Sequence, residues 1–125
     1  MPATTLHIDN QLTGQIITIV CEVWGIDRPS LVSHSHKRPL PWARSLLCEY
    51  LRLYAGHNTV SCAAMLHVKP DAVQCYNYRY HGLKKMYIPF RDKDEEIHRR
   101  IKEIIKARQT HLKEIIKAHQ THKTH

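Results

Sequence analysis

The sequence predicts an all-α domain, and three observations carry the prediction. Apolar residues recur at three- and four-residue spacings over long stretches, and Gly25 and Gly56 stand where two of those stretches end. Near the C-terminus a ten-residue segment recurs at an offset of 11 residues, a period that returns its apolar stripe to nearly the same face of a helix. With 125 residues, 42% hydrophobic and 24% charged, the chain has the size and balance of one packed domain.

Met1 to Gln11 has no sustained periodicity and reads as a flexible N-terminal arm (1-11). The domain proper is expected over 12-106. Ile16, Ile17, Val20, Val23 and Trp24 make the inward stripe of a first helix that Gly25 terminates, and Asp27 with Pro29 can open a short second helix ending near Val32. The segment Ser33 to Pro41 is a basic loop, SHSHKRPLP. A long helix follows from Trp42 to Ala55, with Ala43, Leu46, Leu47, Tyr50, Leu51 and Tyr54 on one broad face, closed by Gly56. After the Gly56-His57-Asn58 turn, a short helix is predicted over Thr59 to Leu66 and a second from Pro70 to about His81, the outline of a helix-turn-helix.

Beyond Arg91 the chain is strongly charged. The cluster Asp92, Asp94, Glu95 and Glu96 reads as the acidic first turn of a C-terminal helix whose apolar stripe is Ile97, Ile101, Ile104 and Ile105. Residues 102 to 111 then recur as 113 to 122, so residues 107-125 read as a His-rich helical tail that frays or pairs with another chain, giving a possible homodimer.

Nineteen Lys plus Arg against 11 Asp plus Glu give a net charge of +8, which favours a polyanionic partner. The apolar run Ile16 to Cys21 is far short of the roughly 20 residues of a spanning helix. The N-terminus lacks a basic segment followed by an apolar one, so no membrane attachment and no export are expected and the setting reads as cytoplasmic. Cys21, Cys48, Cys62 and Cys75 lie singly in apolar stretches, without the close pairs of zinc or disulfide frameworks, and read as buried thiols.

In a helix-turn-helix, the first turns of the second helix reach base edges. Here Val73, Tyr76, Tyr80 and Leu83 fit the inward stripe, leaving Asp71, Ala72, Gln74, Cys75 and the run Asn77 to Arg79 outward. Gln74 and Asn77 carry the amide that pairs with adenine, and Arg79 can neutralise a phosphate. His57 ahead of the pair and Lys69 ahead of Pro70 complete this candidate set. In the basic loop, His34, His36, Lys37 and Arg38 stand beside Arg44, which is expected to project from the first turns of the long helix toward a nucleic-acid backbone. Protonation of the loop histidines would make affinity fall as pH rises above about 6.5.

The stretch IITIVCEVWGIDRPSLVSHSHKRPLPWARSLLCEYLRLYAGHNTVSCAAMLHVKPDAVQCYNY resembles the C-terminal DNA-binding domain of the bacterial replication initiator DnaA over about Leu12 to Ile105. The resemblance implies a TrpR-like helical fold and a partner in double-stranded DNA. It places Arg44 where the family's arginine enters the minor groove, and Lys37 and Arg38 where its loop binds phosphates. The family's Arg-Asp-His-Thr signature is replaced by Val68-Lys69-Pro70-Asp71-Ala72, so the His and Thr that read the initiator's box are absent. No GxxxxGKT loop occurs, so ATPase activity is not expected.

The histidines His111, His119, His122 and His125 are too loosely spaced to imply a metal site, and no cofactor is expected. No Ser-His-Asp or Cys-His motif points to catalysis. The residues therefore favour a sequence-preferring DNA-binding protein regulating replication or transcription, without enzyme activity. The alternative is a helical protein-protein adaptor using the same fold, with the repeated C-terminal helix as its docking surface; Tyr76, Tyr78, Tyr80 and Tyr87 support it, since exposed tyrosines suit protein interfaces.

Overall fold

The computed structural model describes residues 7–123, with side chains placed through residue 118. Six helices follow in order: α1 (Asn10–Trp24), α2 (Arg28–Leu31), α3 (Leu40–Tyr54), α4 (Thr59–Leu66), α5 (Pro70–Met86) and α6 (Ile88–Lys123). No strand occurs among the described residues, and the fold is all-α.

Local chemistry sets most of the helix ends. Asp9 caps α1 by accepting from the Leu12 amide at 2.9 Å, and Gly25 closes it at φ 68°, the left-handed backbone that glycine adopts without a Cβ clash. Asp27 accepts from the Ser30 amide at 2.8 Å to start α2. Asn58 and Ser61 exchange bonds with each other's backbone amides in a capping box at the head of α4.

Helix α3 is the centre of the domain. Residues Ala43 through Leu51 are all buried, so this helix is covered on every side for more than two turns. Leu12, Ile16, Ile19, Val20 and Trp24 of α1 meet it from one side, Val73, Tyr76, Tyr80 and Leu83 of α5 from another, and Phe90, Ile97 and Ile101 of α6 complete a single core. The fully buried Phe90 ring lies 6.1 Å from Trp24, 6.3 Å from Trp42 and 5.9 Å from Tyr80, a tilted and edge-on aromatic cluster that locks the start of α6.

One helical turn beyond Phe90, Asp94 enters the core at 2% exposure. Its Oδ1 accepts from the Tyr50 hydroxyl at 2.5 Å and the Tyr80 hydroxyl at 2.7 Å, and the Lys84 ammonium stands 3.6 Å from Oδ2. Burial, with the carboxylate adding to it, raises both phenols above their ordinary range, which keeps their protons on the donor side of these bonds. The three helices α3, α5 and α6 thus share one carboxylate.

Several boundaries differ from those expected. Helix α5 runs five residues past His81, because Leu83 continues its buried stripe while Gly82 points to open space. Helix α6 begins at Ile88, ahead of the acidic cluster, so Asp94 lies one turn further in and turns inward. The N-terminal segment is docked from residue 7: the Asp9 amide donates to Ala55 O at 2.9 Å, and at Gly56, φ 78°, a Cβ would lie 2.3 Å from the His7 carbonyl oxygen. Residues 1–6 of the expected arm lie outside the described residues. As expected, the second copy of the repeat extends the same helix: α6 is 36 residues long, about 54 Å at 1.5 Å per residue, and Arg108, beyond residue 106, still meets Asp9 at 2.9 Å.

Asp94→Ala leaves two buried phenol hydroxyls without their acceptor. It is expected to lower unfolding free energy by about 3 kcal/mol in urea titrations, at about 1–3 kcal/mol for each unpaired group. A loss below about 0.5 kcal/mol, the scatter of an ordinary surface substitution, would mean that the carboxylate does not hold the helices together.

Candidate nucleic-acid interface

Helices α4 and α5 are joined by His67, Val68 and Lys69 alone. The turn is tight because His67 takes the left-handed conformation at φ 57°; its amide donates to Ala64 O at 3.3 Å and the Val68 amide to Ala63 O at 3.0 Å. Pro70 then opens α5, where a missing amide costs nothing. With Cys62, Ala63 and Leu66 of α4 and Val73 and Tyr76 of α5 buried between the pair, the opposite face of α5 is turned outward.

That face carries Asp71, Gln74, Cys75, Tyr78 and Arg79, all exposed, beside a shallow groove of about 690 Å³ that continues to Met86 and Tyr87. Lys69 is exposed at the head of the same helix. Cys75 is therefore not one of the buried thiols: it follows Gln74 on the outer stripe, whereas Cys21, Cys48 and Cys62 are buried. Ala72 is half-buried and packs on the core cluster. Asn77 is half-buried with its Oδ1 enclosed and unpaired, so the amide does not stand free beside Gln74's.

In the basic loop, His34, His36, Lys37 and Arg38 are exposed. The Arg38 guanidinium lies 5.1 Å from the centre of the Trp42 ring, and Trp42 lies 5.8 Å from Tyr87. The loop is therefore at the C-terminal end of α5, where Lys84 and Lys85 are also exposed, while Gln74 is near the other end. The 13 residues from Gln74 to Tyr87 separate these two groups by about 20 Å along the helix.

Arg44 does not project from α3. It is 2% exposed, and its guanidinium donates to the carbonyl oxygens of Leu31 at 2.8 Å, Ser33 at 2.7 Å, Ser35 at 2.8 Å and Ser30 at 3.3 Å. These oxygens come from the end of α2 and the first part of the loop, where carbonyls left unpaired by a helix C-terminus concentrate negative potential. Arg44 shapes the basic loop from within.

His57 is also buried. The Thr13 hydroxyl donates to Asp9 O at 2.8 Å, so it accepts from His57 Nε2 at 2.9 Å, and the Ser61 hydroxyl lies 3.0 Å from Nδ1. The imidazole thereby ties α1 to the head of α4. Burial lowers its pKa, and burial with nearby lysines lowers that of His98, whose Nε2 lies 2.6 Å from the Tyr54 hydroxyl.

Sequence periodicity identified the outer stripe through Gln74 and Arg79 but gave no weight to Lys84 and Lys85, which lie beyond the expected end of α5. Among the described residues no group of three metal-ligating side chains stands together, and His119, His122 and His125 lie outside the described side chains. No described helix is long and apolar enough to cross a membrane. No protein family, curated protein or solved structure matches this chain.

Two consequences can be measured. Arg44→Ala removes the donor from the carbonyl oxygens of Leu31, Ser33 and Ser35, while Ser30 O keeps the Ser33 amide and hydroxyl, and is expected to cost about 3 kcal/mol in urea unfolding, with Arg44→Lys restoring only part, because an ammonium cannot reproduce the fork. Separately, His57 and His98 have folded pKa values below the ordinary 6.5, so the unfolded chain binds more protons once pH falls below that value. Stability should hold above about pH 6.5 and decline on acidification, and the decline should be shallower in His57→Gln. An unfolding midpoint that does not move between pH 7.5 and 5.5 would contradict the assignment.

Proposed function

We propose that this chain binds double-stranded DNA, with the first turns of α5 in the major groove and the basic loop on the neighbouring phosphates. The observation that carries the reading is the outer stripe of α5: Gln74 and Arg79 stand exposed on a helix whose other face is braced by α4 and the core. Gln74 suits adenine, and Arg79 with Lys69 suits phosphates at the groove edge. The charge distribution agrees. Lys85 lies about 16 Å along α5 from Gln74, and Lys37 and Arg38 stand by Tyr87 at about 20 Å, comparable to half of the roughly 34 Å helical repeat of DNA, so the two ends can serve adjacent grooves.

In this reading Arg44 acts through the loop, holding Lys37 and Arg38 in place; a guanidinium that is 2% exposed and bonded to four carbonyls is not presented to a base. The resemblance to the DnaA DNA-binding domain agrees with a regulatory role in replication or transcription. The altered start of α5 points to a target other than the standard initiator box, since Pro70, Asp71 and Ala72 offer no histidine or threonine there.

One observation favours the adaptor reading as a second. Tyr78 is 86% exposed, and Met86, Tyr87 and Ile88 are exposed further along, so part of the same face is apolar. Tyr76 and Tyr80, by contrast, belong to the core and are lost to any interface.

Fluorescence anisotropy with random-sequence and initiator-box duplexes, titrated at several salt concentrations, separates the readings. If Lys37, Arg38, Lys69 and Arg79 each meet a phosphate, log affinity should fall against log salt with a slope of about −3.6. Arg79→Ala should weaken binding to every sequence alike, and Gln74→Ala should change which sequence is preferred. Absence of binding at low salt would exclude the DNA reading and leave the adaptor.

A further inference from the structure

Helix α6 leaves the body carrying most of the chain's charge. Between Arg99 and Ala118 stand seven lysines and arginines against two glutamates, and the whole chain nets +8. The three arginines are engaged: Arg99 with Glu96 at 3.7 Å and Glu103 at 2.7 Å, Arg100 with Glu22 of α1, and Arg108 with Asp9 at 2.9 Å. The four lysines, Lys102, Lys106, Lys113 and Lys117, are all exposed.

The 11-residue repeat aligns these lysines. At about 100° per residue they fall within a stripe about 60° wide and about 22 Å long, on the side of α6 turned away from the buried Ile97 and Ile101. Each pair, 102 with 106 and 113 with 117, sets like charges four residues apart, which destabilises a helix in water. Glu103, three residues before Lys106, is taken by Arg99. The stripe also continues the cations at the end of α5. Lys84 meets Asp94 at 3.6 Å, about two turns and about 12 Å before Lys102 on α6, and Lys85 and the basic loop lie at that same end.

We propose that this lysine stripe is a second phosphate-binding surface, along which double-stranded DNA seated on α5 continues beside the projecting half of α6. The inference rests on the DNA reading and extends its footprint. Lysine ammoniums are point charges without the fork that reads a base, so the stripe adds affinity and salt dependence but no sequence preference. Phosphates in a row suit it better than an anionic bilayer. The lysines and the exposed Leu112, Ile115 and Ile116 point on average about 120° apart, so a membrane that took up the apolar residues would leave Lys106 and Lys117 facing water, whereas DNA needs the lysines alone.

Fluorescence anisotropy of the full chain on a duplex of about 30 base pairs, titrated with salt, tests it. The contacts proposed for α5 and the loop account for a slope of log affinity against log salt of about −3.6, and four more phosphates bring the wild type to about −7. Lys102→Gln, Lys106→Gln, Lys113→Gln and Lys117→Gln combined should return the slope to about −3.6 and weaken binding at low salt at least about tenfold, with the base preference set by Gln74 unchanged. Glutamine matches lysine in helix propensity, so the circular dichroism should stay the same. A wild-type slope near −3.6 that the substitutions do not move overturns the stripe and leaves the α5 reading standing, whereas no binding at low salt removes that reading and the proposal with it. Vesicles of phosphatidylglycerol and phosphatidylcholine that bind the wild type but not the variant, with DNA affinity equal in both, overturn the proposal in favour of a membrane.

Discussion

The arrangement of α3, α5 and α6 depends on one carboxylate. Asp94 satisfies two phenols and faces an ammonium, and the three helices that supply those groups are the ones that enclose the core. Apolar packing would accept some sliding or rotation of α6 against α3, because Ile97 and Ile101 find hydrocarbon in many registers. A buried carboxylate does not accept it, since moving away from Tyr50 and Tyr80 strands a charge and two hydroxyls at once. Phe90 sets the depth of α6 and Asp94 its register. The orientation of α5, and with it the outer stripe of Gln74 and Arg79, follows from the same joint through Tyr80.

Arg44 does the corresponding work at the other end of the domain. The loop between α2 and α3 carries four cationic or titratable side chains, and their mutual repulsion favours an open, disordered loop. The Arg44 guanidinium draws in carbonyls of Ser30, Leu31, Ser33 and Ser35, gathering the backbone inside while Lys37 and Arg38 stay outside. One arginine is spent on shape so that other cations are presented at a fixed place. His57 plays a related part between α1 and α4, where a neutral imidazole links two helices that share little apolar area.

How far the sequence could be read depended on whether a residue's environment was local. The buried stripe Val73, Tyr76, Tyr80 and Leu83 was legible because helical periodicity is written in consecutive residues, and so were the caps at Gly25 and Asp27. The roles of Arg44, His57 and Asp94 were not. Arg44 bonds to Leu31 across 13 positions, His57 to Thr13 across 44, and Asp94 to Tyr50 across 44. A charged residue at the head of a helix, or in an acidic run, has the same local signature whether it meets solvent or a buried partner. Asn77 is the subtler case: it borders the buried stripe, and the crossing of neighbouring helices decides how far such a border residue is covered.

By itself, therefore, the sequence determined an all-α chain, the order and most ends of its helices, the inward face of each, and a strongly basic surface. These follow from backbone preferences, capping and hydrophobic period, all of which act within a few residues. Only the tertiary structure decided which polar groups are internal, which cations remain available outside, and where the apolar stripe of α6 leaves the body uncovered. Those outcomes depend on which distant groups meet, and desolvation makes a buried charge tolerable only where its partners are already in place.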